Sequence, residues 1–266
     1  MRHPHVARLR YRLKPIDDTT EFDNARAVER QTDAFYMRLD DEIVQISMRE
    51  HHETEASARE RVEMYLRGWE ISATLQYGGR PEFRFVFEGA EILDLDPPPP
   101  PPAPPPGTPQ TVRLSAAAVA VGAASATIRV TRRSYPSPPD DFELSEDVEV
   151  MWSLYDSYRQ GHDRLLPMAY TCLSRLEYAA GGRKQAAQRY RVHKMVLDKL
   201  GEFTSTLGTG VEARKLDRRS KNRAPSAAEK MWIETLVRLL IGRAGTVVHD
   251  PNRAWPLITF DRLPDL

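Results

Sequence analysis

The sequence predicts an α+β protein, with an antiparallel-sheet domain over residues 1–137 followed by an all-α helical domain over residues 142–266. Apolar and polar residues alternate in several segments of the first part, whereas the second part has the apolar spacing of helices. The proline-rich stretch "SYPSPPDD" (134–141) marks the change between the two patterns. A chain of 266 residues, 41% of them hydrophobic, is long enough for two domains with cores of their own.

The first domain opens with two strand-like segments and one helix-like segment. "VARLRYRL" (6–13) and "DEIVQISM" (41–48) alternate between apolar and polar residues and predict strands. "ETEASARERVEMYLRGW" (53–69) predicts a helix, because four apolar residues fall on one stripe at helical spacing. These residues are Ala58, Val62, Leu66 and Trp69.

Two β-hairpins are predicted next. "EISATLQY" (70–77) and "EFRFVFEGAEIL" (82–93) flank the turn "GGRP", and phenylalanines alternate along the second segment. "TVRLSAAAVAVG" (111–122) and "SATIRVTRRSY" (125–135) predict the other hairpin. Between the hairpins lies "PPPPPPAPPPGTP" (97–109); proline lacks an amide donor and fixes φ, so we expect a stiff polyproline loop inside this domain. The alternative is that the segment is a ligand for an aromatic-lined groove.

Helical segments follow one another in the second domain. "LSEDVEVMWSLYDSYRQGHDRLL" (144–166) is expected to end or kink at Pro167, because proline interrupts helical hydrogen bonding. "MAYTCLSRLEYAAGG" (168–182) stops at its glycines, as the C-terminus of a helix does. "RKQAAQRYRVHKMVLDKLGEF" (183–203) predicts one or two shorter helices.

The last helix opens at Ser226, and Glu229 stands three residues later at the spacing of a capping box. Its apolar face is formed by Trp232, Ile233, Leu236, Val237, Leu240 and Ile241. The tail "WPLITFDRLPDL" (255–266) is apolar enough that we expect it to pack back onto the helices.

Charge is unevenly distributed, although Lys+Arg and Asp+Glu both number 38. Residues 16–98 include 20 acidic and 9 basic residues, whereas residues 183–223 include 12 basic and 4 acidic residues. The basic segment favours attraction to the acidic segment or to an acidic partner such as nucleic acid. The single cysteine excludes a disulfide within the chain, and no apolar run approaches the roughly 20 residues of a membrane helix. We therefore expect a cytoplasmic protein that does not associate with a membrane.

Near the C-terminus, "IGRAGTVVHDPN" (241–252) contains an arginine and a histidine six positions apart. A straight helix would set the side chains of Arg243 and His249 about 240° apart around its axis and about 9 Å apart along it. Gly245 and the β-branched residues that follow it favour a helix break that would let the two side chains converge. An arginine that holds a phosphate and a histidine that moves a proton suit the cleavage of RNA at the 2′-hydroxyl.

This arginine and histidine at a terminal helix resemble the motif of the HEPN family, helical-bundle proteins common in bacterial toxin–antitoxin and antiphage systems. The resemblance implies a metal-independent RNase with Arg243 and His249 as catalytic residues, in a site formed across a homodimer. It covers at most residues 142–266, and it departs from the family at Ala244, where the motif usually has a polar residue. The alternative is that Arg243 is a helix C-terminal charge favoured by the dipole and that His249 is a surface residue of the following turn.

A second nucleic-acid hypothesis concerns "RKQAAQRYRVHKMVLDKL" (183–200), which resembles a helix-turn-helix. Basic residues of its second helix, and those of the following "RKLDRRSKNR" (214–223), would contact phosphates or base edges. The candidate nucleic-acid-binding residues are Lys194, Lys199, Arg214, Lys215, Arg218, Arg219 and Lys221. The alternative is an ordinary helical pair with a solvated basic face.

Metal and cofactor motifs are missing from the sequence. "REHHETE" (49–55) has no metal-ligand spacing, and the chain has neither a phosphate loop nor a dinucleotide fingerprint. We therefore predict neither a metal site nor a cofactor. The sequence favours a nucleic-acid- or partner-binding component of a bacterial-type defence or regulatory system. The alternatives are a metal-independent RNase and a structural or scaffold subunit without catalytic activity.

Overall fold

The computed structural model describes residues 3–16, 20–76, 83–96, 130–208 and 223–266. The chain divides into two compact units, Met1–Arg61 with Phe83–Tyr135 and Val62–Glu82 with Pro136–Leu266. The first unit contains an antiparallel sheet and the second contains helices, which confirms the α+β prediction. The predicted polyproline loop (97–109) and nearly all of the second predicted hairpin lie outside the described residues. Within the described part of the chain, no helix combines the length and apolarity needed to cross a membrane.

The first unit is built from strands. They are β1 (Pro4–Pro15), β2 (Thr20–Arg26), β3 (Val28–Gln31), β4 (Phe35–Asp40), β5 (Ile43–Met48), β6 (Phe83–Asp94) and β7 (Val130–Ser134). Five of them form an antiparallel sheet in the order β3-β4-β5-β1-β6, and β2 pairs with β7 in parallel. The strand predictions for residues 6–13 and 41–48 are confirmed by β1 and β5, whereas β2, β3 and β4 were not predicted.

Alternation along the strands separates a buried face of the sheet from a charged face. Leu9, Tyr11 and Leu13 of β1 are buried. Arg8, Arg10 and Arg12 alternate with them and form ion pairs with Glu91 and Glu88 of β6. The turn between β4 and β5 consists of Asp41 and Glu42, both with positive φ, as a type I′ hairpin turn requires. The two carboxylates of β6 therefore offset part of the positive charge on the exposed face of β1.

The first predicted hairpin is wrong, because residues 70–76 belong to a helix. Helix α1 runs over Glu55–Gln76, and β6 pairs with β1 instead. Ile71, Ser72, Ala73 and Thr74 are buried one after another, and the Thr74 hydroxyl donates to the Glu70 carbonyl oxygen at 2.6 Å. Because that bond satisfies the buried hydroxyl within the helix, burial overrides the strand-like alternation of this segment.

The second unit contains the α1 residues from Val62 onward and, among the described residues, five further α-helices and one 3-10 helix (Phe260–Arg262). The α-helices are α2 (Glu146–Arg159), α3 (Leu165–Ala180), α4 (Arg183–Arg189), α5 (Lys194–Thr206) and α6 (Ala227–His249). The buried residues of α6 lie on more than one side of it, which is typical of a central helix. The predicted capping box is confirmed, because Ser226 Oγ accepts from the Glu229 amide at 3.1 Å and the Glu229 carboxylate accepts from the Ser226 amide at 2.8 Å.

The helix predicted to reach Pro167 ends earlier than expected. α2 stops at Arg159, and Gly161 follows with a φ of +80°. Pro167 lies in the first turn of α3, where a helix does not use the amide hydrogen that proline lacks. The predicted end of α3 is confirmed, since Gly181 caps it in the left-handed conformation.

The C-terminal tail packs onto the helices, as expected. The Ile258 amide donates to the Arg191 carbonyl oxygen, and the His193 amide donates to the Ile258 carbonyl oxygen, both at 2.8 Å. The Phe260 ring stacks on Trp232 with 6.1 Å between ring centroids. These contacts join the tail to the turn between α4 and α5 and to α6.

Gly245 does not break α6, contrary to the sequence-based expectation. The helix is continuous to His249, and a Cβ atom at Gly245 would overlap the ring of Phe142. At Gly242, one turn earlier, a Cβ atom would meet only Leu75 Cδ1, at 3.8 Å. Gly245 is therefore required for the close approach of Phe142 and not for a change in backbone direction.

We expect opposite effects from alanine at these two glycines. Gly245→Ala should lower the free energy of unfolding by about 1–3 kcal/mol, because the added methyl group overpacks the contact with Phe142. Gly242→Ala should leave stability unchanged or raise it by up to about 1 kcal/mol, because alanine is the better helix former. Urea unfolding followed by circular dichroism measures both. Equal changes in the two variants would contradict this role of Gly245.

Candidate anion-binding cleft

A cleft of about 460 Å³ lies in the second unit along one face of α6. Residues three and four apart on a helix share a face, and the α6 side of the cleft follows this spacing. Its residues are Thr235, Arg238, Leu239, Gly242, Arg243 and Thr246. The other walls come from the end of α1, the segment that precedes α2, and Trp255 of the tail.

The cleft combines apolar walls with polar groups. Leu75, Phe142 and Leu239 line it from three different parts of the unit. Gly242 adds no side chain at the centre of the α6 face and so leaves space open there. A concave site of this volume with apolar walls and a few polar groups has the properties of a small-molecule site.

Arg243 is the central polar group of the cleft. Its Nη2 donates to the Pro256 carbonyl oxygen at 3.0 Å, whereas its Nη1 is buried and has no hydrogen-bond partner among the described residues. Burial lowers the pKa of Arg243 below its ordinary value, and the positive charges of Arg262 and Arg191 lower it further. No carboxylate of the described residues forms an ion pair with Arg243. An anion placed here would offset this electrostatic cost.

Trp255, which also lines the cleft, carries a second unpaired donor. Its indole Nε1 is buried without a hydrogen-bond partner in the described part of the chain. The Arg243 guanidinium lies 5.4 Å from the centre of the Trp255 ring, and that of Arg253 lies 4.2 Å from it. Arg253 also forms an ion pair with Asp141 at 2.9 Å. Asp141 is thus compensated, and the cleft keeps a positive charge at Arg243.

The predicted catalytic pair is not brought together within one chain. Because α6 is continuous, Arg243 and His249 remain about 240° apart around its axis. Arg243 lines the cleft, whereas His249 is exposed at the last residue of the helix and is not a lining residue. The two side chains could meet only if α6 broke between them. It does not break, because Gly245 packs against Phe142 and because Ala244 and Val247 are buried in the core. A catalytic site shared between two protomers stays a prediction.

The predicted nucleic-acid-binding lysines are paired with carboxylates. α4 and α5 form the expected short helical pair, joined at Arg191, whose φ is +52°. Lys194 contacts Asp198 at 2.7 Å, and Lys199 contacts Glu202 at 3.0 Å. The positive charges of both lysines are therefore offset by carboxylates of the same helix. The other predicted contributors, Arg214, Lys215, Arg218, Arg219 and Lys221, lie outside the described residues.

The first unit contains a cluster of histidines. His51 and His52 of "REHHETE" were considered from the sequence, and the structure adds His3 and His5. The His51 ring lies 5.0 Å from that of His3 and 5.2 Å from that of His5. Partial burial and the neighbouring charges of His51, His52 and His3 lower the pKa of His5. Among the described residues, no group of three His, Cys, Asp or Glu side chains is arranged to hold a metal ion.

Arg243 was predicted from the sequence as a site residue, whereas the residues that surround it were not. Trp255 and Arg191 were assigned to the tail and to a helical pair, and Phe142 was not singled out. The tail did offer a signal, because "RAWP" sets an arginine close to a tryptophan. Only the folded tail brings that signal to α6.

Comparison with protein-family models, curated proteins and solved structures finds no match to this chain.

The histidine cluster predicts a loss of stability in mild acid. The folded state lowers the pKa of His5 below its ordinary value of 6.5, so the unfolded chain binds the proton more readily. The free energy of unfolding should therefore fall as the pH drops below 6.5 and through the folded pKa. His5→Gln should reduce this fall, as measured by urea unfolding at a series of pH values. His162→Gln, at an exposed position in the second unit, is the control, and the same pH dependence in both variants would argue against the cluster.

Proposed function

We propose that the second unit binds single-stranded nucleic acid through an arginine cluster formed by Arg191, Arg243 and Arg262. The observation that carries the proposal is the Arg243 guanidinium, which has two like charges nearby and no ion pair to a described carboxylate. Arg191 and Arg262 are exposed, so a backbone phosphate can reach them from solvent. Such a binding activity fits a component of a defence or regulatory system.

Phosphate suits this cluster because a guanidinium offers a planar set of donors that matches phosphate oxygens. Arg191 is held in place, since its Nε donates to the Trp255 carbonyl oxygen at 3.3 Å and leaves its terminal nitrogens available. The turn between α4 and α5 that carries Arg191 is fixed by its hydrogen bonds to Ile258. The cluster thus has an ordered scaffold beneath it.

A single strand suits the cluster better than a duplex. Arg243 reaches the cluster from a concave surface, which the rigid backbone of a duplex does not enter. An unpaired base can leave its stack and lie against an aromatic ring or a guanidinium plane. Trp255, Arg243 and Arg253 provide such planes beside one another.

Binding should depend on salt and on the cluster. Fluorescence anisotropy with a labelled mixed-sequence oligonucleotide, as RNA and as DNA, measures the dissociation constant over a range of salt concentrations. Each phosphate neutralised on a single strand contributes about 0.7 to the slope of log K against log salt, so Arg191→Asn combined with Arg262→Gln should reduce the slope by about 1.4. Asparagine is chosen at position 191 because it tolerates a positive φ.

A matched control removes the same charge elsewhere. Lys184 and Lys230 are exposed residues of α4 and α6, and Lys184→Gln with Lys230→Gln should leave the slope unchanged. Arg218→Glu, Arg219→Glu and Lys221→Glu together test the contributors predicted outside the described residues. Absence of binding at low salt, or equal slopes for the cluster and control variants, would refute the proposal and favour a scaffold role.

The same reactions resolved on a denaturing gel in the presence of EDTA test the RNase hypothesis. Cleavage that is lost in both Arg243→Ala and His249→Ala would support a site assembled from two protomers, because one continuous α6 does not bring these residues together. Intact RNA under conditions of full binding would leave a binding function alone.

A further inference from the structure

We propose that the cleft is a binding site for a small organic anion that combines one acidic headgroup with a planar apolar body. Arg243 and Trp255 would bind the headgroup, and Leu75, Phe142 and Leu239 would contact the body. This ligand is a different molecule from the proposed nucleic acid. The two would share Arg243 and Trp255 and would therefore compete, but only the small anion would also contact the apolar wall of the cleft.

Two side chains that line the cleft each keep an unpaired hydrogen-bonding group. Arg243 Nη1 and Trp255 Nε1 are both buried and without partners among the described residues, and both are donors only. A carboxylate or a phosphate monoester presents two or more acceptor oxygens at one end of a molecule. The guanidinium lies 5.4 Å from the centre of the indole ring, so the two side chains that carry these donors are neighbours in the wall of the cleft.

The charges that line the cleft favour an anionic ligand. Among the described residues that line the cleft, the only carboxylate is that of Asp141, which pairs with Arg253 at 2.9 Å. Arg238 and Arg243 both line the cleft, so its interior is positive after this pairing. A neutral ligand would leave the Arg243 charge without a counterion, whereas a monoanion would supply one.

The shape and chemistry of the walls favour a ligand with a planar apolar body. Leu75, Phe142 and Leu239 form an apolar surface next to the unpaired donors. Gly242 leaves the α6 wall without a side chain between Leu239 and Arg243. A volume of about 460 Å³ accommodates one small molecule with an aromatic body.

Isothermal titration calorimetry on the full chain tests this assignment with three probes that share one ring system. 1-Naphthoate and 1-naphthyl phosphate carry the two acidic headgroups, and 1-naphthamide is the neutral isostere. We expect saturable one-to-one binding of at least one anion, about tenfold or more tighter than binding of the amide, because hydrogen bonds to a charged group are the stronger ones. The tighter of the two anions identifies the headgroup.

Variants at the donors and at the apolar wall locate the site. Arg243→Met and Trp255→Phe each remove one unpaired donor while keeping much of the side-chain bulk, and each should weaken the anion about tenfold or more. Leu239→Trp fills the cleft from a residue that is 38% exposed and should abolish binding. Leu257→Trp is the matched control, because Leu257 is also 38% exposed but does not line the cleft.

Equal binding of the amide and the anions, no binding of either anion at millimolar concentration, or unchanged binding in Leu239→Trp would overturn the proposal. Should Arg243→Met fail to fold, comparison of Leu239→Trp with Leu257→Trp still tests whether the anion binds in the cleft. Leu239→Trp leaves Arg191, Arg243 and Arg262 in place, so nucleic-acid binding by this variant separates failure of the cleft from failure of the arginine cluster.

Discussion

The ring of Phe142 lies against the backbone of α6 at Gly245, and the position of one wall of the cleft depends on this contact. The Glu143 amide donates to the Gly245 carbonyl oxygen at 3.1 Å, so the segment that precedes α2 is fixed to α6 by its backbone as well. That segment carries Asp141 to the edge of the cleft, where it holds Arg253. Arg253 in turn lies over Trp255. One wall of the cleft and the position of its indole donor thus depend on a residue without a side chain.

The same contact explains why Gly245 does not break α6, although the sequence predicted a break at this position. Glycine is a poor helix former, and β-branched residues lose rotamer freedom in helices, so "GTVV" favoured a break. Val247 is buried and the Thr246 hydroxyl donates to the Arg243 carbonyl oxygen at 3.0 Å, so tertiary packing and a local bond stabilise this turn. Propensity differences of less than about 1 kcal/mol per residue are readily outweighed by burial of a helix.

Sequence patterns correctly predicted β1 and β5, strands that have one buried face. They gave the wrong secondary structure where a segment is buried on several sides. β1 and β5 alternate clearly, and the capping box of α6 is encoded by Ser226 and Glu229 alone. The end of α1, from Glu70 to Gln76, was mistaken for a strand, because residues buried on several sides of a helix leave no period of 3.6. Of the cleft, only Arg243 was identified from sequence. The other walls come from segments more than 100 residues away along the chain or from the tail, and no local pattern encodes their meeting.

The four tryptophans of the chain differ sharply in their exposure to solvent. Trp69, Trp152 and Trp232 are buried, whereas Trp255 is partly exposed. Collisional quenching of the intrinsic fluorescence should therefore act mainly on the indole that borders the cleft. Iodide, an anion drawn to the neighbouring guanidiniums, should quench it more efficiently than caesium, which they repel. The unmodified protein thus contains its own optical reporter of the electrostatic potential at the cleft.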